Sequence, residues 1–318
     1  MAAPTPTSGG TGLAFPSDMS RGTVLVTGAA GFTGAHMAAE LQAAGYQVEG
    51  CRQSGPALAH AQHLCDLTQP AQVRALVARV RPDHVVHLAA LSHVQHGDPE
   101  AFYRVNLFAA LHVLEALAAE DIQPRKVLLA SSAQVYGAAD REVLDETQCP
   151  RPVNHYAASK LAMEHLSATW FGRLPLVITR PFNYTGVGQT TNFLIPKIVD
   201  HFARRAPRIE LGNLDVEREF SDVRALCQSY RLLLESPARG LVVNVCNGQA
   251  YSLRSILARM ARIAGYEIAV DVNPAFVRAN EIPRLVGSTA RLHATIGERN
   301  HHGIEDTLRW MHDKAIRP

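Results

Sequence analysis

The feature that most constrains this chain is a short apolar strand followed at once by regularly spaced glycines. Residues 23–27 read Thr-Val-Leu-Val-Thr, and the next residues place glycine at every third position. Glycines permit a tight turn close to a phosphate, and the helix that begins there presents free N–H groups and a positive dipole end. The pattern therefore predicts a dinucleotide pyrophosphate site formed by Gly28, Gly31, Phe32, Thr33 and Gly34.

Strand and helix patterns continue to alternate along the chain. Short apolar runs return at 48–51, 85–88, 127–129 and 176–179, with amphipathic helices between them. This alternation is typical of an α/β fold, a Rossmann-type doubly wound parallel sheet with a smaller C-terminal mixed α/β domain. We expect the sheet domain at 21–180 plus about 222–247, and the substrate-binding domain at 181–221 plus 248–318.

Composition excludes several other classes of protein. Hydrophobic residues make up 47% of the chain and the net charge is +2, so neither a disordered chain nor a nucleic-acid-binding surface is predicted. No apolar run approaches the ~18 residues of a membrane helix, so we expect no membrane partner. Residues 1–20, rich in Pro, Thr, Ser and Gly, are expected to form a disordered tail and no signal peptide.

Cysteine and histidine spacing favours no metal site. The five cysteines are scattered and never spaced Cys-x-x-Cys, as expected for free thiols in the cytoplasm. His84 and His87 are three residues apart on a predicted strand, so their side chains point to opposite faces.

The end of the second strand indicates which dinucleotide is bound. An acidic residue there would accept ribose hydroxyls, whereas a basic one would hold a 2′-phosphate. Arg52 occupies this position, which favours NADPH with NADH as the alternative; Arg52 as a solvated loop charge also stays open. Asp66 and Leu67, after the third strand, are expected to meet the adenine.

A catalytic group is predicted from a tyrosine and a lysine on one helix face. Tyr156 and Lys160 are four residues apart, and Ser132 follows a buried strand, at the edge where doubly wound sheets bind ligands. An ammonium near a phenol lowers the pKa of the phenol, so we expect Lys160 to lower that of Tyr156. Tyr156 could then exchange a proton with a carbonyl or hydroxyl near neutral pH.

With these motifs the chain resembles an extended short-chain dehydrogenase/reductase of the nucleotide-sugar epimerase/dehydratase superfamily. The match also includes His87-Leu88-Ala89-Ala90 and Arg180-Pro181-Phe182-Asn183. The resemblance implies that Ser132 polarises the substrate oxygen, that Tyr156 is the acid/base and that Lys160 holds the ribose and the phenolate. It also places Leu88, Ala89 and Ala90 at the cofactor.

The C-terminal half is similar to GDP-6-deoxy-4-keto-mannose reductases, which form GDP-rhamnose. That resemblance implies that Arg218 and Arg278 neutralise the diphosphate and that Glu281 binds ribose. His93, Asn183, Asn192 and Lys197 are the further candidates for contact with the GDP-linked deoxy sugar. This chain departs from that family at Tyr184, where His is usual, and at Ala279, where Pro is usual.

Residues that are missing narrow the reaction. Related 4,6-dehydratases carry an Asp-Glu pair where this chain has Ala133 and Gln134, and the epimerising GDP-fucose-forming reductases carry Cys at the first position. Reduction at C4 is therefore expected. A 4-epimerase with tightly held NAD, a reductase of opposite C4 stereochemistry forming GDP-6-deoxytalose, and a non-catalytic dinucleotide sensor are the alternatives. The resemblance also implies a homodimer through a four-helix bundle that includes the Leu107–Leu117 and Tyr156 helices.

Overall fold

The first strand of the main sheet follows directly from the first apolar run. The computed structural model describes residues 21–92, 97–137, 139, 141–276, 284–299 and 302–317. In it, β1 (Thr23–Thr27) lies in a seven-stranded sheet in which all neighbours pair in parallel, in the order β11-β6-β5-β4-β1-β2-β3. The other strands of this sheet are β2 (Gln47–Arg52), β3 (His63–Leu64), β4 (His84–His87), β5 (Lys126–Ala130), β6 (Leu176–Pro181) and β11 (Leu241–Val245).

Alternate side chains of these strands pack into two separate cores, one on each face of the sheet. Leu25, for example, lies in one core and Val24 and Val26 in the other. The first face is covered by α2 (Pro70–Val80), α4 (Ala109–Ala119) and α5 (His155–Ala168), and the second by α1 (Phe32–Ala43), α7 (Val223–Glu235) and α9 (Ala290–Ile296). The short helix α3 (Pro99–Phe102) packs against α5. The expectation of a doubly wound α/β fold is therefore confirmed.

One helix is longer and more apolar than the sequence analysis expects, since no segment of membrane-spanning character is predicted there. The π-helix Tyr103–Phe108 joins α3 to α4, and the continuous helix Pro99–Ala119 is long and apolar enough to cross a membrane by composition alone. More than half of its apolar window, 56%, is buried inside the protein. Core helices pass the same test, so this feature is weak evidence for a membrane span.

The remaining elements form a third core beside the carboxyl ends of the strands. It is built by α6 (Leu194–Ala203), α8 (Leu253–Ala264) and α10 (Ile304–Ile316) with the parallel pair β8 (Arg208–Leu211) and β13 (Ala269–Val272). Short strands complete this part: β7 (Tyr184–Thr185), β9 (Glu217–Glu219), β10 (Ser221–Asp222), β12 (Ala250–Ser252) and β14 (Arg284–Leu285), with 3-10 helices at Ala133–Tyr136 and Pro274–Phe276. Between these elements the chain returns to the sheet through α7 and β11, which pairs with β6. The exact domain boundaries stay a prediction.

Candidate active site

The glycine turn between β1 and α1 is packed too closely for any larger residue. Gly28 has φ +68°, and a Cβ there would lie 2.8 Å from the backbone nitrogen of Ala89. A Cβ on Gly34 would collide with the Gly28 carbonyl and would lie 2.6 Å from Cα of Ala29. Within the described residues, no side chain caps the helix at Gly31. The first-turn amides of α1 therefore have the geometry that an anionic pyrophosphate requires.

The end of β4 lies against this turn. Thr27 Oγ1 accepts hydrogen bonds from the amides of Leu88 (3.2 Å) and Ala89 (3.3 Å), and it lies 2.9 Å from Nδ1 of His87. Burial lowers the pKa of His87 to about 3, with Lys160 contributing, so this imidazole is neutral. The structure thus brings together the two segments predicted to hold the cofactor, the glycine turn and residues 88–90.

The predicted 2′-phosphate end contains unsatisfied buried donors. Arg52 Nε donates to the carbonyl of Pro56 at 2.7 Å, while Nη1 is buried without a partner among the described residues. Nε2 of His60, in the same loop, is likewise buried without a partner among the described residues. Asp66 accepts from the amide and hydroxyl of Thr68. Buried donors that lack a protein partner fit an anionic group, so the residues present are suited to a dinucleotide.

Ser132, Tyr156 and Lys160 come together at the carboxyl edge of the sheet. Ser132 caps the 3-10 helix after β5, accepting from the Gln134 amide at 3.2 Å, and its hydroxyl acts to lower the pKa of Tyr156. Asn154 caps α5, so Tyr156 and Lys160 lie in its first turns. Lys160 Nζ donates to the carbonyl of Ala130 at 2.7 Å. All three side chains are at most 8% exposed.

The pKa of Tyr156 differs from the sequence expectation. Burial raises it above its ordinary value and the hydrogen bond with Ser132 opposes this, so the expected lowering by Lys160 is not found. The physical reason is that the ammonium of Lys160 is directed at Ala130 and is itself buried, which lowers its pKa to about 8. A protonated Tyr156 suits the donation of a proton to a substrate oxygen.

The π-helix positions the loop that follows β4. Asn106 accepts from the Leu91 amide at 2.8 Å, and its side-chain amide donates to the Leu91 carbonyl and to Ser159 Oγ at 3.0 Å. Ser159 in turn donates to the carbonyl of Tyr156. This fully buried asparagine therefore ties the predicted cofactor loop to the helix of Tyr156, in keeping with the frequent use of π-helical turns at functional sites.

Apart from Ser132, the predicted substrate residues that the structure describes lie in the third core and its connections. The carbonyl of Asn183 accepts from Ser221 at 2.8 Å, and Lys197 Nζ donates to the Glu210 carbonyl and lies 4.6 Å from the ring of Phe276. Arg218 is on β9, and Asn192 is exposed before α6. His93, Arg278 and Glu281 lie outside the described residues.

Two further residues escaped the sequence analysis. Tyr184, noted there only as a departure, bonds Thr33 of the glycine turn. Glu164, a charged residue on the buried face of α5, pairs with Arg180. The signal for Glu164 was available in the sequence, because it follows Lys160 by one helical turn on a face that is otherwise packed against the sheet.

The parallel sheet, the glycine turn and the Ser132–Tyr156–Lys160 group together define an NAD(P)-dependent oxidoreductase of the extended short-chain dehydrogenase/reductase class. The family model described as GDP-mannose 4,6 dehydratase matches residues 25–311. The chain belongs to this family.

Two curated relatives are similar over most of their length. One is the GDP-6-deoxy-D-talose 4-dehydrogenase of Aggregatibacter actinomycetemcomitans, 34% identical over 86% of this chain and 91% of the relative. The other is the GDP-6-deoxy-D-mannose reductase of Pseudomonas aeruginosa, 36% identical over 90% of this chain and 94% of the relative.

Solved structures agree with the fold. RMD from Pseudomonas aeruginosa, solved with NADPH, is 33% identical with a TM-score of 0.83, covering 93% of this chain and 97% of that one. A protein from Burkholderia cenocepacia J2315 is 48% identical with a TM-score of 0.89, covering 93% of this chain and 98% of that one.

Proposed function

We propose that this enzyme reduces the C4 keto group of a GDP-linked 4-keto-6-deoxyhexose with NADPH, and specifically that it converts GDP-4-keto-6-deoxymannose to GDP-rhamnose. The observation that carries the proposal is the site itself. Ser132, Tyr156 and Lys160 can bind and protonate a carbonyl oxygen, whereas Ala133 and Gln134, which follow Ser132, offer no acid–base pair for eliminating water. The GDP-sugar assignment is supported by both curated relatives, each of which is named for a GDP-6-deoxyhexose.

The roles of the protein groups follow from their positions. Ser132 and Tyr156, which lie close enough for the serine to act on the pKa of the tyrosine, would both bind the C4 oxygen, and Tyr156 would give its proton to that oxygen. Lys160 is held by the Ala130 carbonyl close to the same site and would orient the nicotinamide ribose. The bound dinucleotide supplies the hydride. Burial of all three side chains keeps water away from the reacting atoms.

The choice of NADPH is supported at the end of β2. Arg52 and His60 each carry a buried ring or guanidinium nitrogen without a partner among the described residues. Arginine is well suited to bidentate contact with a phosphate. The relative from Pseudomonas aeruginosa was solved with NADPH, which agrees with this assignment.

The configuration at C4 has a second candidate. The two curated relatives, named for a talose and a mannose derivative, are almost equally similar to this chain, at 34% and 36% identity. GDP-6-deoxytalose is therefore the alternative product. Which product forms depends on the sugar face that meets the nicotinamide. Tyr184, beside the glycine turn, is a residue at which this chain differs from the GDP-rhamnose-forming reductases.

One incubation tests these assignments together. The protein would be mixed with enzymatically made GDP-4-keto-6-deoxymannose and NADPH, and the product identified by NMR. Oxidation of NADPH with formation of GDP-rhamnose is expected. GDP-6-deoxytalose would reverse the stereochemical assignment. Tightly retained NAD with no oxidation of added NADPH would instead support a 4-epimerase, and binding without turnover would support a dinucleotide sensor.

We also propose a homodimer built from the long helix and α5. These two helices pack against one another, and each exposes a large apolar side chain, Phe108 (47% exposed) and Leu166 (45%). Their pairing with a second copy would bury both in a four-helix bundle. Light scattering should give about twice the mass of 34.6 kDa, and Phe108→Asp should give the monomer. A monomeric wild-type protein would contradict this.

A cytoplasmic location without a membrane or nucleic-acid partner completes the proposal. The cysteines are free thiols, four of them buried and Cys149 exposed, which agrees with a reducing compartment. The near-neutral net charge of +2 offers no excess of basic residues for a polyanion.

A further inference from the structure

A buried ion pair lies directly behind the catalytic group. Arg180, near the end of β6, donates from Nη2 to Glu164 Oε2 at 2.6 Å and from Nε to Oε1 at 3.0 Å. The two side chains are only 7% and 5% exposed. Such a pair is stable only when its geometry is good, because both charges have lost their water. The guanidinium also lies 4.8 Å from the ring centre of Tyr136, which covers its other side.

The carboxylate of Glu164 makes a third contact that reaches the catalytic loop. Ser131 Oγ donates to Glu164 Oε1 at 2.5 Å, and the Ser131 amide donates to Thr179 on β6 at 2.8 Å. Ser131 is the residue immediately before Ser132. Glu164 therefore fastens the segment that carries Ser132 to the helix that carries Tyr156.

The same carboxylate lies one helical turn beyond Lys160. The ionisable groups coupled to this lysine are Glu164, on its own helix, and His87 from β4; Tyr156 lies one helical turn before it, and Arg180 pairs with Glu164. Among these Glu164 supplies the negative charge that acts on Lys160: burial lowers the pKa of the lysine and Glu164 raises it. The outcome is a pKa of about 8, which keeps the ammonium largely protonated at neutral pH.

We propose that Glu164 is a positioning residue of this enzyme, which holds the Ser131–Ser132 segment on the catalytic helix and provides the counter-charge for Lys160. This inference rests on the proposed roles of Ser132 and Lys160. Glu164 acts through Ser131 and Lys160 rather than on the substrate or the cofactor, and Arg180 serves as its buried partner.

The counter-charge can be measured without any substrate. The chain has four lysines, Lys126, Lys160, Lys197 and Lys314, so NMR of protein labelled at lysine Cε can follow each one, with Lys160 assigned by Lys160→Arg. An opposite charge within about 4–6 Å shifts a pKa by about one to three units. Glu164 shares its charge with Arg180, so it should act at the lower end of that range, and Glu164→Gln should lower the pKa of Lys160 by about one unit. Lys126, at the opposite end of β5, should not change. An unchanged Lys160 titration in the folded variant would overturn the proposal.

A matched variant separates this effect from the general loss of a buried charge. Glu146 is also buried, at 4% exposure, and pairs with Arg291 at 3.5 Å. Glu146→Gln should leave the pKa of Lys160 unchanged, and an equal shift there would overturn the specific role of Glu164. Where Glu164→Gln fails to fold because Arg180 is left unpaired, Glu164→Gln with Arg180→Gln removes both charges. The pKa of Lys160 in this double variant is compared with its pKa in Arg180→Gln alone, which keeps the carboxylate: a lower pKa in the double variant is expected, and equal values would count against the proposal.

The positioning of Ser132 is tested by measuring kcat and KM, separately from the pKa of Lys160. Ser131→Ala keeps the ion pair and removes only the link to the loop, so kcat should fall about tenfold while KM for NADPH and the pH profile stay constant. Glu164→Asp keeps the charge and should keep the Lys160 titration. Unchanged kcat in Ser131→Ala would remove the positioning role. If Glu164→Gln shifts the pKa of Lys160 but the wild-type protein does not reduce the GDP-sugar, the proposed function is contradicted. The role of Glu164 as counter-charge to Lys160 then still stands.

Discussion

Thr33 Oγ1 and Tyr184 Oη lie 2.8 Å apart and join the glycine turn to the loop that follows β6. The ring of Tyr184 also stacks on Phe32, with centroids 6.1 Å apart and planes 12° from parallel. Burial raises the pKa of Tyr184 to about 12, so its hydroxyl stays protonated and can donate to Thr33. This hydrogen bond and ring contact therefore join the proposed cofactor-binding turn to the proposed substrate loop.

Removing this hydroxyl should weaken the cofactor site. Tyr184→Phe keeps the stacking on Phe32 and deletes one hydrogen bond, a loss of about 0.5–1.5 kcal/mol. We therefore expect the Kd for NADPH, measured by fluorescence titration, to rise about two- to tenfold. Tyr266→Phe removes a hydroxyl that bonds the carbonyls of His201 and Phe202 in the third core and should leave this Kd unchanged. Equal NADPH affinity in Tyr184→Phe and wild type would show that the connection does not support the turn.

Tyr156→Phe should separate binding from chemistry. The ring keeps its packing and the proton donor is lost, so we expect kcat to fall by about 100-fold or more while NADPH affinity stays near wild type. Steady-state kinetics and NADPH titration measure the two effects. Tyr46 is similarly buried, at 7% against 8% exposure, but lies at the opposite end of the sheet, and Tyr46→Phe should retain kcat. Retained kcat in Tyr156→Phe would exclude this residue as the acid.

The pH dependence of reduction should be set by Lys160. Burial lowers the pKa of Lys160 to about 8 and raises that of Tyr156 above its ordinary value, so the lysine is the first of the two to lose its proton as pH rises. The active form carries both protons, so kcat should be constant below about pH 7 and decline as pH rises through about 8. A pH profile of kcat at saturating substrates checks this. A decline only near pH 10, the ordinary value for lysine, would contradict it.

Arg52→Ala should discriminate between the two nicotinamide dinucleotides. A charge-assisted contact to the 2′-phosphate is worth about 1.5–3 kcal/mol, so KM for NADPH should rise about tenfold or more while KM for NADH changes little. Arg74, an exposed arginine paired with Glu120, offers a control whose alanine variant should behave as wild type. If Arg52→Ala raised both KM values equally, Arg52 would be an ordinary loop charge.

The arginines proposed for the diphosphate can be tested with GDP alone. Loss of one phosphate contact in a partly dry cleft costs about 2–3 kcal/mol, so Arg278→Ala and Arg218→Ala should each weaken GDP binding about 30- to 150-fold. Glu281→Gln should have a smaller effect, because an amide oxygen still accepts a ribose hydroxyl. Calorimetric titration gives the affinities, with the exposed Arg262→Ala as control. Unchanged GDP affinity in both arginine variants would remove the main C-terminal support for a GDP-sugar.

Much of the fold was predictable because its signals are local. The run at Thr23–Thr27 has the same bounds in the structure as in the sequence pattern, and the runs at 48–51, 85–88, 127–129 and 176–179 overlap β2, β4, β5 and β6. A continuous apolar run is the pattern of a strand buried on both faces, and a tight turn after it needs glycine at Gly28. The spacing of Tyr156 and Lys160 likewise requires only that their segment be helical.

The order of the elements and the residue types at the edge of the sheet can be predicted from the amino-acid sequence alone. The contacts between side chains, and how well each is shielded from water, depend on how the distant segments pack together. The Thr33–Tyr184 bond joins residues 151 positions apart, and Ser131 reaches Glu164 across 33. The high pKa of Tyr156 and the low pKa of Lys160 arise from burial, a property of the packed molecule that no local pattern specifies.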